Sequence, residues 1–157
     1  MLKLKQVLQN RKDGTPSVAE VPVPALQRGR LLVRTAASLI SSGTERMVVE
    51  SAGKGLVQEA RERPDLVRAV VEKARKEGLL NTFSAVRDKL AASTALGYSA
   101  SGIVIGVGAE VTEFRIGDRV ACAGVGFASH AEAISVPKNL CVQLPVEVDF
   151  ESGAFET

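Results

Sequence analysis

The spacing of apolar residues changes twice along this chain, and that change limits its possible folds more than any other feature. Strand-like apolar runs occupy 2–9, 17–21, 30–40, 99–107, 118–123, 130–136 and 140–144. Between the third and fourth runs the spacing approaches the helical value of about 3.6, as at Leu66, Val70 and Ala74. The sequence therefore predicts a mainly β domain with a helical hairpin inserted at about 51–93, α+β overall.

Turn and capping residues support this division. Gly14 gives turn chemistry to the segment between the first two strands, which predicts a hairpin. Pro64 suits a first helical turn and Gly78 a helix carboxyl end. Asp149 is placed to cap a helix that begins at residue 150. Because that helix has no room for about three turns before residue 157, we expect the chain to be part of a longer protein.

The length and composition predict one globular domain that spans 1–157. The 157 residues are 45% hydrophobic and 24% charged, which is ordinary for a folded protein with one core. The formal net charge is +2 with both signs interleaved, so we expect no nucleic acid partner. No apolar run reaches the roughly 18 residues that span a bilayer, and the amino terminus lacks a signal-peptide core. We therefore expect no membrane association and a cytoplasmic location.

The two cysteines, Cys122 and Cys141, each lie in an apolar, strand-like run and do not form a C-x-x-C pair. We expect buried, reduced core residues. A disulfide or a metal role is the alternative.

Three motifs in order resemble the medium-chain dehydrogenase/reductase superfamily of zinc-type alcohol dehydrogenases. The segment GVGAEVTEFRIGDRV at 106–120 is similar to that superfamily's V-G-x-x-V-x-x-F-x-x-G-D-R-V. The segment LGYSASGIV at 96–104 is similar to its L-G-H-E-x-x-G-x-V, and SGTE at 42–45 to its C-G-T-D. The glycines of 106–120 also have a structural meaning, with Val111 and Phe114 packing inward and Asp118 and Arg119 closing a tight loop.

The resemblance implies a GroES-like, partly open β-barrel that forms the substrate side of a cleft. A carboxy-terminal Rossmann domain, absent from this chain, would hold NAD or NADP in the parent protein. The glycine patterns at 106–108 and 124–126 lack the third glycine of G-x-G-x-x-G, so we interpret both as turns and expect no cofactor site here. The expected partners are a small-molecule substrate and the missing nucleotide-binding domain, and the parent could form a homodimer.

The chain departs from the zinc-binding members of the superfamily at the metal ligands. Ser42 and Tyr98 stand where that resemblance places the zinc cysteine and histidine, and Ser99 stands at the neighbouring glutamate. Since hydroxyl and phenol groups replace thiolate and imidazole poorly, we expect no catalytic zinc. Two distant cysteines also cannot supply the four-cysteine structural zinc site. The chain thus resembles a subgroup without zinc ligands.

The candidate site residues follow from the same resemblance. Thr44, which matches the hydroxyl of the proton relay, and Tyr98 are the candidate catalytic residues. Ser41, Ser42, Glu45 and Ser99 are candidate cleft residues.

Each candidate also has a structural interpretation. Tyr98 could only line the cleft or the core, Ser41 and Ser42 could cap a turn, and Glu45 could pair with Arg46. His130, the only histidine, is predicted to be a partly exposed strand residue, with acid/base work in the cleft as the alternative.

Two classes of function fit these observations. The first is the substrate domain of a zinc-independent NAD(P)-dependent oxidoreductase that transfers hydride to or from a carbonyl, alcohol or enone and is inactive alone. The second is a non-catalytic binding or assembly module that uses the basic helical insertion as a partner surface.

Overall fold

The computed structural model describes residues 2–10, 14–41, 43 and 93–155. Within these residues, eight strands form two antiparallel sheets, and a short α-helix lies near the carboxyl end. The prediction of a mainly β fold is confirmed. The helical insertion predicted over 51–93, except its last residue, lies outside the described residues.

The strands run in chain order as β1 Lys3–Gln9, β2 Pro16–Pro22, β3 Arg30–Ser38, β4 Thr94–Ala95, β5 Ser99–Val107, β6 Arg119–Ala123, β7 Ala133–Pro137 and β8 Cys141–Gln143. A 3-10 helix, Lys138–Leu140, joins β7 to β8, and helix α1 spans Phe150–Gly153. The smaller sheet has the order β2-β1-β4, and the larger has the order β7-β3-β5-β6-β8.

Strand β3 lies inside the larger sheet, between β5 and β7. Its alternating residues Leu31 and Val33 are fully buried and belong to one apolar cluster with residues of β5, β6 and β7. Glycine permits the close approach of β5, because a Cβ at Gly102 would lie 2.1 Å from the Arg34 carbonyl oxygen. The core thus forms on the inner face of this sheet.

The glycine-rich segment at 106–120 joins the end of β5 to the start of β6 through a turn at 108–118. Val111 and Phe114 are buried, and the Asp118 carboxylate accepts a hydrogen bond of 2.8 Å from the Arg115 amide. The prediction that Arg119 helps to close this loop is wrong. Its guanidinium donates to three backbone carbonyls at 145, 146 and 148, because the side chain leaves β6 toward the segment after β8.

The predicted N-cap of the helix near the carboxyl end of the chain is confirmed. The Ser152 amide donates to the Asp149 carboxylate over 2.6 Å, and this bond holds the pKa of Asp149 below its usual value. Helix α1 packs on β5, where the Ser101 hydroxyl donates to the Phe150 carbonyl. Among the described residues, no helix has the length and apolar character needed to cross a membrane.

Two local predictions differ from the structure. Strand β4 was not predicted, since a two-residue strand is too short to leave a periodic signal. The strand predicted to begin at His130 begins at Ala133. His130 lies in the preceding loop, because its amide and carbonyl bond to Leu96 and Val7 rather than to β3.

The two cysteines face each other across the strand pair β6 and β8. Cys122 is directly opposite Cys141, and their sulfur atoms are 3.7 Å apart with both thiols free. Cys122 is fully buried, as predicted, whereas Cys141 is half-buried. Hydrogen bonding to the Cys141 sulfur, followed by burial, raises the pKa of the Cys122 thiol.

Candidate functional site

Two of the segments in the predicted cleft meet at one end of the larger sheet. Ser38, the last residue of β3, is opposite Ala100 of β5, and the Leu39 amide donates to the Ser99 carbonyl over 3.0 Å. Ser41 follows and is half-buried. The chain that leads to residues 42–45 therefore lies beside the start of β5.

Three of the predicted site residues cannot be placed. Ser42, Thr44 and Glu45 lie outside the described residues. Their catalytic and cleft roles stay predictions.

Tyr98 occupies the turn before β5. Gly97 has a φ of 98°, which favours glycine, and the Tyr98 carbonyl accepts a hydrogen bond of 2.8 Å from the Gly124 amide. The ring is half-buried, and no described residue forms a hydrogen bond with its hydroxyl. The phenol can therefore donate to a bound molecule, and its catalytic role stays a prediction.

Ser99 points away from solvent. Its side chain is fully buried, and its hydroxyl donates to the Ala154 carbonyl over 2.5 Å. This bond ties the start of β5 to the end of helix α1. The role of Ser99 as a cleft residue stays a prediction, while its observed contact is with the protein backbone.

His130 contacts the same turn. The sequence did not predict its contacts with Ser38 and Leu96. Its Nδ1 is 2.9 Å from the Ser38 hydroxyl, and its amide donates to the Leu96 carbonyl over 2.8 Å. The only local signal was a single histidine at the end of a glycine-rich turn. Nothing in the sequence connects it to Ser38, which lies 92 residues away.

A cavity of about 260 Å³ opens beside His130 on the side of β1. The residues lining it come from β1, β2, β3 and the loop before β7: Lys5, Gln6, Val7, Val18, Thr35, Ser38, His130, Ala131 and Glu132. Thr35 Oγ1 is buried and has no hydrogen-bond partner among the described residues. His130 lines this cavity, and it also contacts Gly97 of the turn before Tyr98, so it lies between the two.

Two surface carboxylates, Glu110 and Glu113, have lowered pKa values because each forms an ion pair with a basic side chain. Arg28 binds the Glu110 carboxylate with two nitrogen atoms and holds the pKa of Glu110 below its usual value. Lys138 lies 2.9 Å from Glu113 and is the main reason that the pKa of Glu113 falls to about 2. These pairs lie far along β3 from Ser38, so they do not set the charge beside Tyr98.

The described residues include no cluster of three or more His, Cys, Asp or Glu side chains that could hold a metal ion.

Comparisons with known proteins agree with this architecture. Residues 73–146 match the alcohol dehydrogenase GroES-like domain. A quinone oxidoreductase of Pseudomonas aeruginosa is 41% identical over 59 residues, which are 38% of this chain and 18% of that protein.

Two solved structures have the same fold. The quinone oxidoreductase of Coxiella burnetii has a TM-score of 0.65 at 18% identity, over 98% of this chain and 40% of that one. A mycobacterial protein complexed with NADPH has a TM-score of 0.59 at 16% identity, over 94% of this chain and 34% of that one. Identities this low establish the fold alone.

The chain spans only a small part of its curated relatives, 2% of the fungal squalestatin hexaketide synthases and 18% of the quinone oxidoreductase. The motifs, the sheet order and the matched segment nevertheless agree with one another. Residues 73–146 thus match the alcohol dehydrogenase GroES-like domain, and the chain as a whole has the fold of the solved oxidoreductase structures to which it is similar.

Proposed function

We propose that this chain is the substrate-side domain of a zinc-independent NAD(P)-dependent oxidoreductase that transfers hydride to or from a carbonyl, alcohol or enone. The observation that carries the proposal is the bond of 3.0 Å between the Leu39 amide and the Ser99 carbonyl. It brings the end of β3, which leads to residues 42–45, beside the turn that presents Tyr98. The proposed parent protein works on small molecules in the cytoplasm.

In this proposal the chain's own residues polarise the substrate oxygen. The Tyr98 hydroxyl, which has no hydrogen-bond partner among the described residues, donates to the oxygen on which negative charge develops during reduction. Thr44 is the second donor and passes a proton from solvent toward that oxygen during reduction, while Ser41, Ser42 and Glu45 line the cleft. A donor fixed before the reaction stabilises that charge without reorganisation of the site.

The residues at the zinc positions do not fit a zinc ion. Zinc takes thiolate, imidazole or carboxylate ligands, whereas the described residues here offer the Tyr98 phenol and the Ser99 hydroxyl. The Ser99 hydroxyl is also buried and bonded to the Ala154 carbonyl. We therefore assign polarisation to hydrogen-bond donors and derive no step through a metal.

The nicotinamide belongs to a carboxy-terminal Rossmann domain of the parent protein in this proposal. The mycobacterial structure complexed with NADPH supports a nicotinamide in a protein of this fold. The glycine segment at 124–126 is a turn with positive φ at Gly124 and Gly126, with no helix following it. We expect the 157-residue chain alone to turn over no nicotinamide-dependent substrate.

The test compares this chain with the longer product of its source gene. Both are titrated with NADH and NADPH by fluorescence, and the longer protein is screened for reduction of quinones, enones and aldehydes. We expect that only the longer protein binds NADH or NADPH. It should contain no stoichiometric zinc and should keep its activity in a chelator. Tight zinc, or turnover by the 157-residue chain, would contradict the proposal.

The role of Tyr98 needs a matched pair of variants in the longer protein. Tyr98→Phe keeps the ring and removes the hydroxyl, and we expect kcat to fall by about 100-fold with KM little changed. Ser135→Ala is the control, because that hydroxyl lies on β7, away from the cleft. A Tyr98→Phe variant with wild-type kcat would rule out the phenol as the donor.

A further inference from the structure

His130 connects three segments that meet beneath the Tyr98 turn. Its amide donates to the Leu96 carbonyl over 2.8 Å, and its carbonyl accepts from the Val7 amide over 2.8 Å. Its ring nitrogen Nδ1 lies 2.9 Å from the hydroxyl of Ser38, the last residue of β3. One residue therefore touches β1, the end of β3 and the chain that enters the turn.

The turn rests directly on this histidine. A Cβ built at Gly97 would lie 2.7 Å from the His130 amide nitrogen and 3.0 Å from Nδ1. Real Cβ atoms essentially never come so close, so only glycine allows the peptide before Tyr98 to pack on the ring. The residue before Tyr98 thus packs on both the backbone and the imidazole of His130.

The Ser38 hydroxyl is a contact that holds the ring nitrogen. Ser38 lies opposite Ala100 on β5, so it is held by the sheet itself. A hydroxyl on a rigid strand fixes the ring nitrogen, and the ring in turn supports the turn. The imidazole thus lies between the end of β3 and the turn before β5.

We propose that His130 is a positioning residue for Tyr98, held in place by its hydrogen bond to Ser38. The inference rests on the proposed function, in which the Tyr98 hydroxyl polarises the substrate. It assigns His130 a role that differs from both sequence interpretations, an exposed strand residue and an acid/base in the cleft. In this role the hydrogen bond to Ser38 matters, and transfer of a proton by the imidazole does not.

The chain contains its own probe for this proposal. Tyr98 is its only tyrosine and it has no tryptophan, so tyrosine fluorescence reports on this turn alone. Acrylamide quenching of that fluorescence measures how freely the ring is reached. The variants are Ser38→Ala, which removes one oxygen atom, His130→Phe, which keeps a ring without nitrogen, and His130→Asn, whose amide can reach the Nδ1 position.

We expect Ser38→Ala and His130→Phe each to raise the quenching constant by about twofold, because a half-buried ring that loses its support becomes open to solvent. The double variant should equal either single variant, since both remove the same bond. His130→Asn should recover most of the difference. Ser135→Ala should leave quenching at the wild-type value, and circular dichroism should show that each variant is folded at the assay temperature.

Wild-type quenching in Ser38→Ala would overturn the proposal, even if His130→Phe does not fold. Equal quenching in His130→Asn and His130→Phe would also overturn it, because a side chain that can restore the bond would then do no better than one that cannot. These outcomes differ from a failure of the proposed function. That failure would appear as full turnover by Tyr98→Phe in the longer protein, which leaves the quenching results unaffected.

Discussion

Two serines of the larger sheet, each with a buried hydroxyl, lead to opposite predictions for the same substitution to alanine. The Ser99 hydroxyl on β5 is buried and donates to the Ala154 carbonyl over 2.5 Å. The Ser135 hydroxyl on β7 is also buried, but it has no hydrogen-bond partner among the described residues. The pair therefore separates the effect of a hydrogen bond from that of losing one oxygen atom.

The magnitudes follow from the cost of burying polar groups. Ser99→Ala leaves the buried Ala154 carbonyl without this donor, which lowers the free energy of unfolding by about 1–3 kcal/mol. The Ser135 hydroxyl loses its hydrogen bonds to water on folding and gains none from the described residues. Ser135→Ala is therefore neutral or raises the free energy of unfolding by about 1 kcal/mol. A difference of about 2 kcal/mol between the variants corresponds to about 4–8 °C in Tm for a chain of this size.

Thermal unfolding of both variants, followed by circular dichroism in the same buffer, measures this difference. Urea unfolding checks it through the midpoint at constant m-value. The reasoning is refuted if the two variants melt at the same temperature, or if Ser135→Ala melts lower than Ser99→Ala.

Three further predictions test other contacts. Arg119→Lys should lower the free energy of unfolding by about 1–2 kcal/mol, since lysine cannot reach three backbone carbonyls with a planar fork; an unchanged urea midpoint would contradict this. Iodoacetamide should alkylate half-buried Cys141 at least about tenfold faster than Cys122, because burial and a raised pKa disfavour the Cys122 thiolate. Peptide mass spectrometry measures both rates, and equal rates would contradict this prediction. Because its pairing with Lys138 lowers the pKa of Glu113 from 4.5 to about 2, the stabilisation is complete above pH 4.5 and is lost as pH falls toward 2. Glu113→Gln should therefore have a lower Tm than the wild type at pH 7 and the same Tm near pH 2. A difference in Tm that persists at low pH would contradict this explanation.

Much of the fold could be predicted from local sequence, because strand period, turn glycines and caps act over a few residues. Six of the seven predicted strands overlap their observed counterparts closely, and Asp149 caps α1 as expected. The strand predicted from His130 is the exception. Its first residues bond to β1 and to the chain before β5, and apolar spacing carries no information about those partners.

The candidate site divides in the same way. Motif resemblance made Tyr98 a candidate residue of the cleft, which stays a prediction, and the strand pairing shows that the end of β3 lies beside the start of β5. It did not predict that the Ser99 hydroxyl bonds to the Ala154 carbonyl, 55 residues away.

The sequence by itself determined the mainly β class, the turns, the superfamily motifs and the residue types at the zinc positions, since each is a local or compositional property. Only the tertiary structure decided that Cys122 faces Cys141 and that His130 bonds to Ser38. Such contacts depend on strand register, which the packing of distant side chains sets in the folded core. A one-residue slip would turn every side chain of a strand to the other face, so these pairs exist only once the sheet has formed.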